Sequence, residues 1–149
     1  MAAPKLKMRL GDLLVHEHII SNEQLMQALN SQKSTGRKLG DTLIELGHIA
    51  ERQLLEFLAQ QLDVPFLDIS QQRIPTESAS LLSEVHARRL RAIIIEDRGD
   101  SVVVGMSDPA DLNAIDQIEQ LLSPKRIELA VVMDSQMYDA FDGLYRRTA

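Results

Sequence analysis

Cysteine and tryptophan are absent, and only 3% of the residues are aromatic. Without a thiol there is no disulfide framework and no thiolate chemistry. No apolar run reaches the roughly 18 residues that a membrane-spanning helix needs. Met1 is not followed by a charged-then-apolar leader, so a soluble, cytoplasmic chain is expected. Positive charge is also short. A domain built for duplex nucleic acid carries a basic face and a pI above about 9, whereas this chain has a net charge of −6 and a pI of 5.2. No DNA partner is expected, although paired helices alone would have suggested a helix-turn-helix.

What is present is apolar: 44% of the 149 residues, enough to bury a core in one mid-sized domain or two small ones. The charge is uneven. Residues 1 to 62 are balanced, and residues 63 to 149 hold the entire excess of −6. Local basic excess is confined to Lys5, Lys7 and Arg9, and to Lys33, Arg37 and Lys38. Two small positive spots suit a small anion better than a polyanion.

Residues 9 to 32 align with residues 38 to 61 at an offset of 29, with nine identities in 24 positions: Leu10/Leu39, Gly11/Gly40, Asp12/Asp41, Leu14/Leu43, Ile20/Ile49, Gln24/Gln53, Leu25/Leu54, Leu29/Leu58 and Gln32/Gln61. Such self-similarity marks a duplication. Each copy is predicted to be a short helix, a turn and a longer helix, because Leu10, Leu13 and Leu14, then Leu25, Ala28 and Leu29, recur at helical spacing. Ser21 and Gln24 predict a capping box for the longer helix of copy one. Copy two has Ala50 at that position, leaving Glu51 to favour the first turn through the helix dipole. The segment Lys33-Ser34-Thr35-Gly36-Arg37 reads as a short polar linker, so the copies must pack on each other.

After Val64-Pro65-Phe66 the pattern changes to mixed α/β. Ala92 to Ile95 and Val102 to Met106 flank Arg98-Gly99-Asp100 as a hairpin. Asp108-Pro109 is expected to open a helix striped by Leu112, Ile115, Ile118, Leu121 and Leu122, which Pro124 stops. Ile127 to Val132 reads as a third strand, and Ser135 to Tyr145 as a last amphipathic helix. The expectation is therefore an α+β protein: an all-helical tandem-repeat unit over 1–62, then a small α/β unit over 63–149 with a three-stranded sheet and flanking helices.

No enzyme is expected in this chain. Gly-x-Ser-x-Gly and the phosphate-cradling Gly-x4-Gly-Lys-Ser/Thr loop are both missing. His16 and His18 point to different helix faces while His48 and His86 are isolated, so no three-ligand zinc set and no metal is expected. The shared head of the copies, Arg9-Leu10-Gly11 and Lys38-Leu39-Gly40, is the informative feature. It joins a cation, an apolar platform and a glycine that lets backbone approach a ligand, at a helix start whose free N–H groups favour phosphate. Arginine also offers a fork for the O6/N7 edge of guanine, and lysine a point charge. Carboxylates at Asp12, Asp41 or Asp108 can accept from guanine N1 and N2. Equally, the leucines read as core, the glycines as relief for close helix packing and the aspartates as helix-start residues. With Phe57 the one aromatic before residue 63, a base would lie on leucines or on a guanidinium plane rather than on aromatic rings.

The whole pattern is Arg-Leu-Gly, two aliphatics, a glycine, then Leu-x-x-x-Leu-x-x-Gln, in tandem 24-residue copies with a five-residue spacer. It resembles the amino-terminal cyclic di-GMP-binding (MshEN) domain of type II secretion and type IV pilus assembly ATPases, those of MSHA pili included. Asp108-Pro109-Ala110-Asp111 after a strand is similar to that family's second amino-terminal unit. The resemblance implies one cyclic di-GMP held by both copies, with Arg9, Leu10, Gly11, Leu25, Leu29 and Gln32 on one side. Lys38, Leu39, Gly40, Leu54, Leu58 and Gln61 would form the other. It implies regulation of an attached motor, hexameric in the family and peripheral to the inner membrane through pilus or secretion assembly proteins. ATP and magnesium would belong to that motor, whose machinery is absent from these residues. Two positions depart from the pattern: the mid-motif glycine is His18 in copy one, though Gly47 keeps it in copy two, and the leading arginine of copy two is Lys38. The competing expectation is a nucleotide-independent adaptor that docks the ATPase to an inner-membrane assembly protein through the acidic second unit.

Overall fold

The computed structural model describes residues 8–145, so Lys5 and Lys7 of the first basic spot lie outside the described residues. Each repeat folds as a short helix and a longer one: α1 (Leu10–His16) with α2 (Asn22–Thr35), and α3 (Leu39–Glu45) with α4 (Glu51–Leu62). The duplication extends to the backbone. At the end of α1 the His18 amide donates to the Val15 carbonyl and Ile19 to Leu14, and 29 residues later Gly47 donates to Ile44 and His48 to Leu43, all at 2.9 to 3.0 Å. This closing turn needs a left-handed residue. Gly47 supplies it at φ +78°, and His18 adopts it at φ +59° despite its side chain.

Ser21 and Gln24 do form a reciprocal capping box at the start of α2. Ala50 gives α4 no side-chain cap, and the Glu51 carboxylate instead accepts from Ser135 on the last helix. The expected linker is shorter than the sequence suggests. Lys33, Ser34 and Thr35 extend α2 by a turn, and the break comes at Gly36, the residue able to take φ +71° without a Cβ penalty.

The remaining elements are α5 (Thr76–Ala79), α6 (Glu84–Leu90), β1 (Ala92–Asp97), β2 (Ser101–Met106), α7 (Leu112–Leu122), β3 (Arg126–Val131) and α8 (Asp134–Leu144). The fold is α+β, with a three-stranded sheet in the order β1-β2-β3. The hairpin pairs β1 and β2 antiparallel, with a bulge between Ile94 and Glu96, and α7 carries the chain across so that β3 runs parallel to β2. Asp108 does not open α7. Asp108 to Asp111 close a turn, with the Asp111 amide donating to the Asp108 carbonyl at 3.2 Å. It is Asp111 that caps the helix by accepting from the Ala114 amide at 3.1 Å. Pro109 fits that turn as well as a helix start, which is why the sequence misplaces the cap. Both α5 and α6 are too short to show a helical stripe in the sequence.

One buried cluster lies among the repeat helices around Leu14, Ala28 and Leu43. The other lies between the sheet and α6, α7 and α8, around Ile93, Val104, Ile118 and Phe141. The two segments are joined by packing. Pro65 to Leu67 run beside β3, with the Leu67 amide donating to Val131 and the Val131 amide to Pro65, each at 2.8 Å. Val131 itself packs in the helical cluster, so α4 lies against β3.

Candidate functional site

The two shared heads meet. Gly11 packs so closely that an added Cβ would stand 2.6 Å from Leu25 Cδ1 of its own copy and 3.0 Å from Leu39 Cδ2 of the other. At Gly40 the same construction gives 3.0 Å to Leu54 Cδ2 and 3.8 Å to Leu10 Cδ2. Each glycine therefore rests on the equivalent leucine of its own longer helix and faces the leading leucine of the opposite copy. Neither glycine has a positive φ, so close approach, rather than backbone conformation, is what the missing side chain provides. Leu10, Leu39 and Leu29 remain half-exposed, while Leu25, Leu54 and Leu58 are buried beneath them.

A cavity of about 760 Å³ opens beside this contact, and it is one-sided. Leu10, Lys38, Leu39, Gly40, Leu54 and Leu58 line it, together with Asp41 and Asp108. Leu29 and Gln32 line a shallower neighbouring depression of about 470 Å³ that shares Gly36 with the first. Arg9, Gly11, Asp12, Leu25 and Gln61 border neither. The asymmetry comes from the α/β segment, which stands over copy two and contributes Arg91, Ser107 and Asp134 to the facing wall. Sequence reasoning missed these three. Arg91 ends α6 in a left-handed conformation at φ +51°, which no local signal announces for an arginine.

Ion pairs bridge the cavity. Lys38 Nζ donates to Asp108 Oδ2 and, at 3.2 Å, to Asp111 Oδ2. Arg91 donates from Nη1 to Asp41 at 3.3 Å and from Nε to Asp134 at 3.2 Å, and Ser107 Oγ donates to the same Asp134 oxygen at 2.7 Å. Burial works against the Lys38 ammonium, but the hydrogen bond and charge of Asp108, reinforced by Asp111, raise its pKa above the ordinary lysine value. Burial likewise opposes the Asp111 carboxylate, and the Ala114 amide and Lys38 outweigh it and lower its pKa. For Arg91 the desolvation is overcome by the charges of Asp134 and Asp41, and the net shift is upward. By contrast Arg9 and Asp12, the counterparts of Lys38 and Asp41, are exposed and enter no ion pair among the described residues.

An apolar floor of leucines beneath cations and carboxylates is suited to holding a planar ring with an attached anion. His48 Nε2 lies 3.0 Å from Gln27 Oε1 and His86 Nδ1 lies 2.8 Å from Ser83 Oγ, so each has a side-chain partner. Among the described residues no group of three His, Cys, Asp or Glu side chains is placed to hold a metal. No helix among them is long and apolar enough to cross a membrane.

Known proteins share both segments. The chain is 30% identical over 137 residues to the type IV pilus assembly ATPase PilB of Myxococcus xanthus strain DK1622, a match covering 92% of this chain and 24% of that protein. It thus spans about a quarter of the length of that relative. A solved structure of MshE with cyclic di-GMP is 51% identical, superposes with a TM-score of 0.83, and is covered completely by 93% of this chain. The N-terminal domain of XpsE, 23% identical, shares the fold with a TM-score of 0.76 over 95% of this chain and 97% of that one. The family model described as the MshEN domain matches residues 62–149, the α/β segment and not the tandem copies. With more than half of its length matched, the chain belongs to the MshEN domain family.

Proposed function

We propose that this chain is a cyclic di-GMP receptor domain that regulates a type IV pilus or type II secretion assembly ATPase. The observation that carries this reading is the reciprocal contact of the two heads, Leu39 on Gly11 and Leu10 facing Gly40. A ligand made of two identical guanylate halves is matched by two equivalent half-sites joined at their centre. The 51% identity to MshE solved with cyclic di-GMP supports the same ligand.

In this reading Leu10, Leu25 and Leu29, and their counterparts Leu39, Leu54 and Leu58, form the apolar surface on which the guanine bases lie. Gly40 keeps that surface open where it lines the cavity, and Gly11 lets the two copies close on each other beside it. Arg9 and Lys38 meet phosphate oxygens or the O6/N7 edge of guanine, and Gln32 and Gln61 supply amide groups at the far ends of the motifs. Asp12, Asp41 and Asp108 are acceptors for guanine N1 and N2. The chain performs no bond chemistry. The helical unit over 1–62 senses, and the α/β unit over 63–149 passes the state to a hexameric motor held at the inner membrane by assembly proteins.

Calorimetry with cyclic di-GMP tests the reading. One ligand per chain is expected, with Leu10→Ala and Leu39→Ala each weakening it. Silent calorimetry, combined with ligand-indifferent retention by an inner-membrane assembly protein, would replace the receptor with a docking adaptor.

A further inference from the structure

The two copies have the same backbone, yet the α/β segment grips one of them. Among the described residues, every side-chain hydrogen bond from the repeats to residues beyond 62 leaves copy two: Lys38 to Asp108 and Asp111, Asp41 with Arg91, Arg52 to Asp68, and Glu51 with Ser135. The first two sets hold the head of the motif itself, the cation and the carboxylate that flank Leu39 and Gly40. Lys38 is the repeat's second leading cation, and it is already neutralised by two carboxylates from outside the repeat.

From this arrangement, and resting on the cyclic di-GMP reading, we infer that Asp111 is a positioning residue which, with Asp108, competes with the ligand's phosphates for Lys38, so that binding at copy two loosens the grip of the α/β segment. The competition is feasible because the pair is labile. The Lys38 side chain is 52% exposed and that of Asp111 33% exposed, and exposed pairs of this kind contribute little. Exchange also leaves the charges matched: Lys38 passes from a carboxylate to a phosphate, and the freed Asp108 carboxylate is an acceptor for a guanine N–H. Linkage makes the effect reciprocal. Whatever factor the clasp removes from ligand affinity, the ligand removes from the clasp. Copy one has no such clasp among the described residues, so this coupling belongs to copy two.

The experiment is calorimetry with cyclic di-GMP on the whole chain and three variants, with thermal unfolding to verify the fold. Asp111→Asn retains an acceptor for the α7 cap, where Asn and Asp are equivalent, while removing the charge that holds Lys38. It is expected to tighten binding about two- to fivefold, the scale of one exposed ion pair. Asp116→Asn, an equal charge change at an exposed α7 position, is expected to leave the affinity unchanged. In a Lys38→Met background the gain from Asp111→Asn should vanish, because the residue acts through the ammonium. Unaltered or weaker binding by Asp111→Asn, or a gain that survives without Lys38, overturns the inference while leaving the receptor reading intact. A wild-type chain that gives no heat overturns the receptor reading itself.

Discussion

Adding a single methyl at Gly11 or at Gly40 separates packing from ligand approach, the two reasons a helical glycine can be needed here. Neither position requires a positive φ, so alanine gains about 1 kcal/mol of helix propensity at both. At Gly11 the new Cβ lands 2.6 Å from Leu25 Cδ1 and 3.0 Å from Leu39 Cδ2. Leu25 is 8% exposed and has little room to turn away, so overpacking of about 1–3 kcal/mol applies. The net expectation for Gly11→Ala is a loss of about 1 kcal/mol, or about 3 °C in melting temperature for a chain of this size. At Gly40 the nearest neighbour, Leu54 Cδ2, stands at 3.0 Å rather than 2.6 Å, so it has to give by only a few tenths of an ångström and the propensity gain roughly cancels the cost. Gly40 also lines the cavity whereas Gly11 does not. Gly40→Ala is therefore expected to keep its stability and lose affinity for cyclic di-GMP, while Gly11→Ala loses stability first. Urea unfolding paired with calorimetry on both variants reads the two effects separately. A Gly11→Ala chain that is more stable than the parent, or a Gly40→Ala chain that binds as the parent does, would refute the assignment of these roles.

Four other outcomes follow from the same geometry. His18→Gly should stabilise by about 0.5–1 kcal/mol, since a left-handed residue with a side chain costs about 1–2 kcal/mol and glycine returns part of that in unfolded-state entropy; an unfolding midpoint at or below the parent's would show His18 to be unstrained. Arg9→Ala should weaken cyclic di-GMP by roughly 1–3 kcal/mol if its fork reads a guanine edge, and parental affinity in a titration removes that role. Leu39→Ala should weaken ligand with a modest stability loss, in contrast to Leu43→Ala, whose fully buried side chain is worth about 2–5 kcal/mol; equal melting temperatures for the two would place Leu39 in the core. Acid stability reports on Asp111: its pKa is lowered in the folded chain, so its contribution is present above the unfolded value of about 3.9 and is lost as pH falls through the lower folded value. Asp111→Asn should flatten the stability profile below about pH 4, and an unchanged acid profile would contradict the shift.

The repeat was legible because its signal is redundant. Leucine periodicity, the Ser21/Gln24 box and the offset of 29 each constrain the same helices, and the backbone hydrogen bonds recur at that offset. The hairpin and third strand were legible from β-branched runs around Arg98-Gly99-Asp100. What the sequence hides is how the α/β segment meets the repeats. Asp108 was legible as a residue of interest but not as a partner of Lys38, since Asp-Pro reads as a helix start and the competing cap, Asp111, lies three residues on. The cavity lies where Arg91, Ser107, Asp108 and Asp134 of the α/β segment face copy two, a meeting with no local signature. Arg91, Ser107 and Asp134 inherit that invisibility.

Two departures from exact duplication, at the cap of the longer helix and in the ion pairs of the head, have the same direction. Copy one is held by its own residues: Ser21 caps α2 in a reciprocal box, a device worth about 1 kcal/mol, and among the described residues its head makes no ion pair with the α/β segment. Copy two lacks the cap at Ala50 and borrows its support from outside, through Glu51 to Ser135, Asp41 to Arg91 and Lys38 to Asp108 and Asp111. On the proposed reading, borrowed support in one half would give the ligand a differential contact between states, which is the requirement for any coupling. The same substitutions that weaken the copy as an isolated helix pair are therefore the ones that connect it to the rest of the chain.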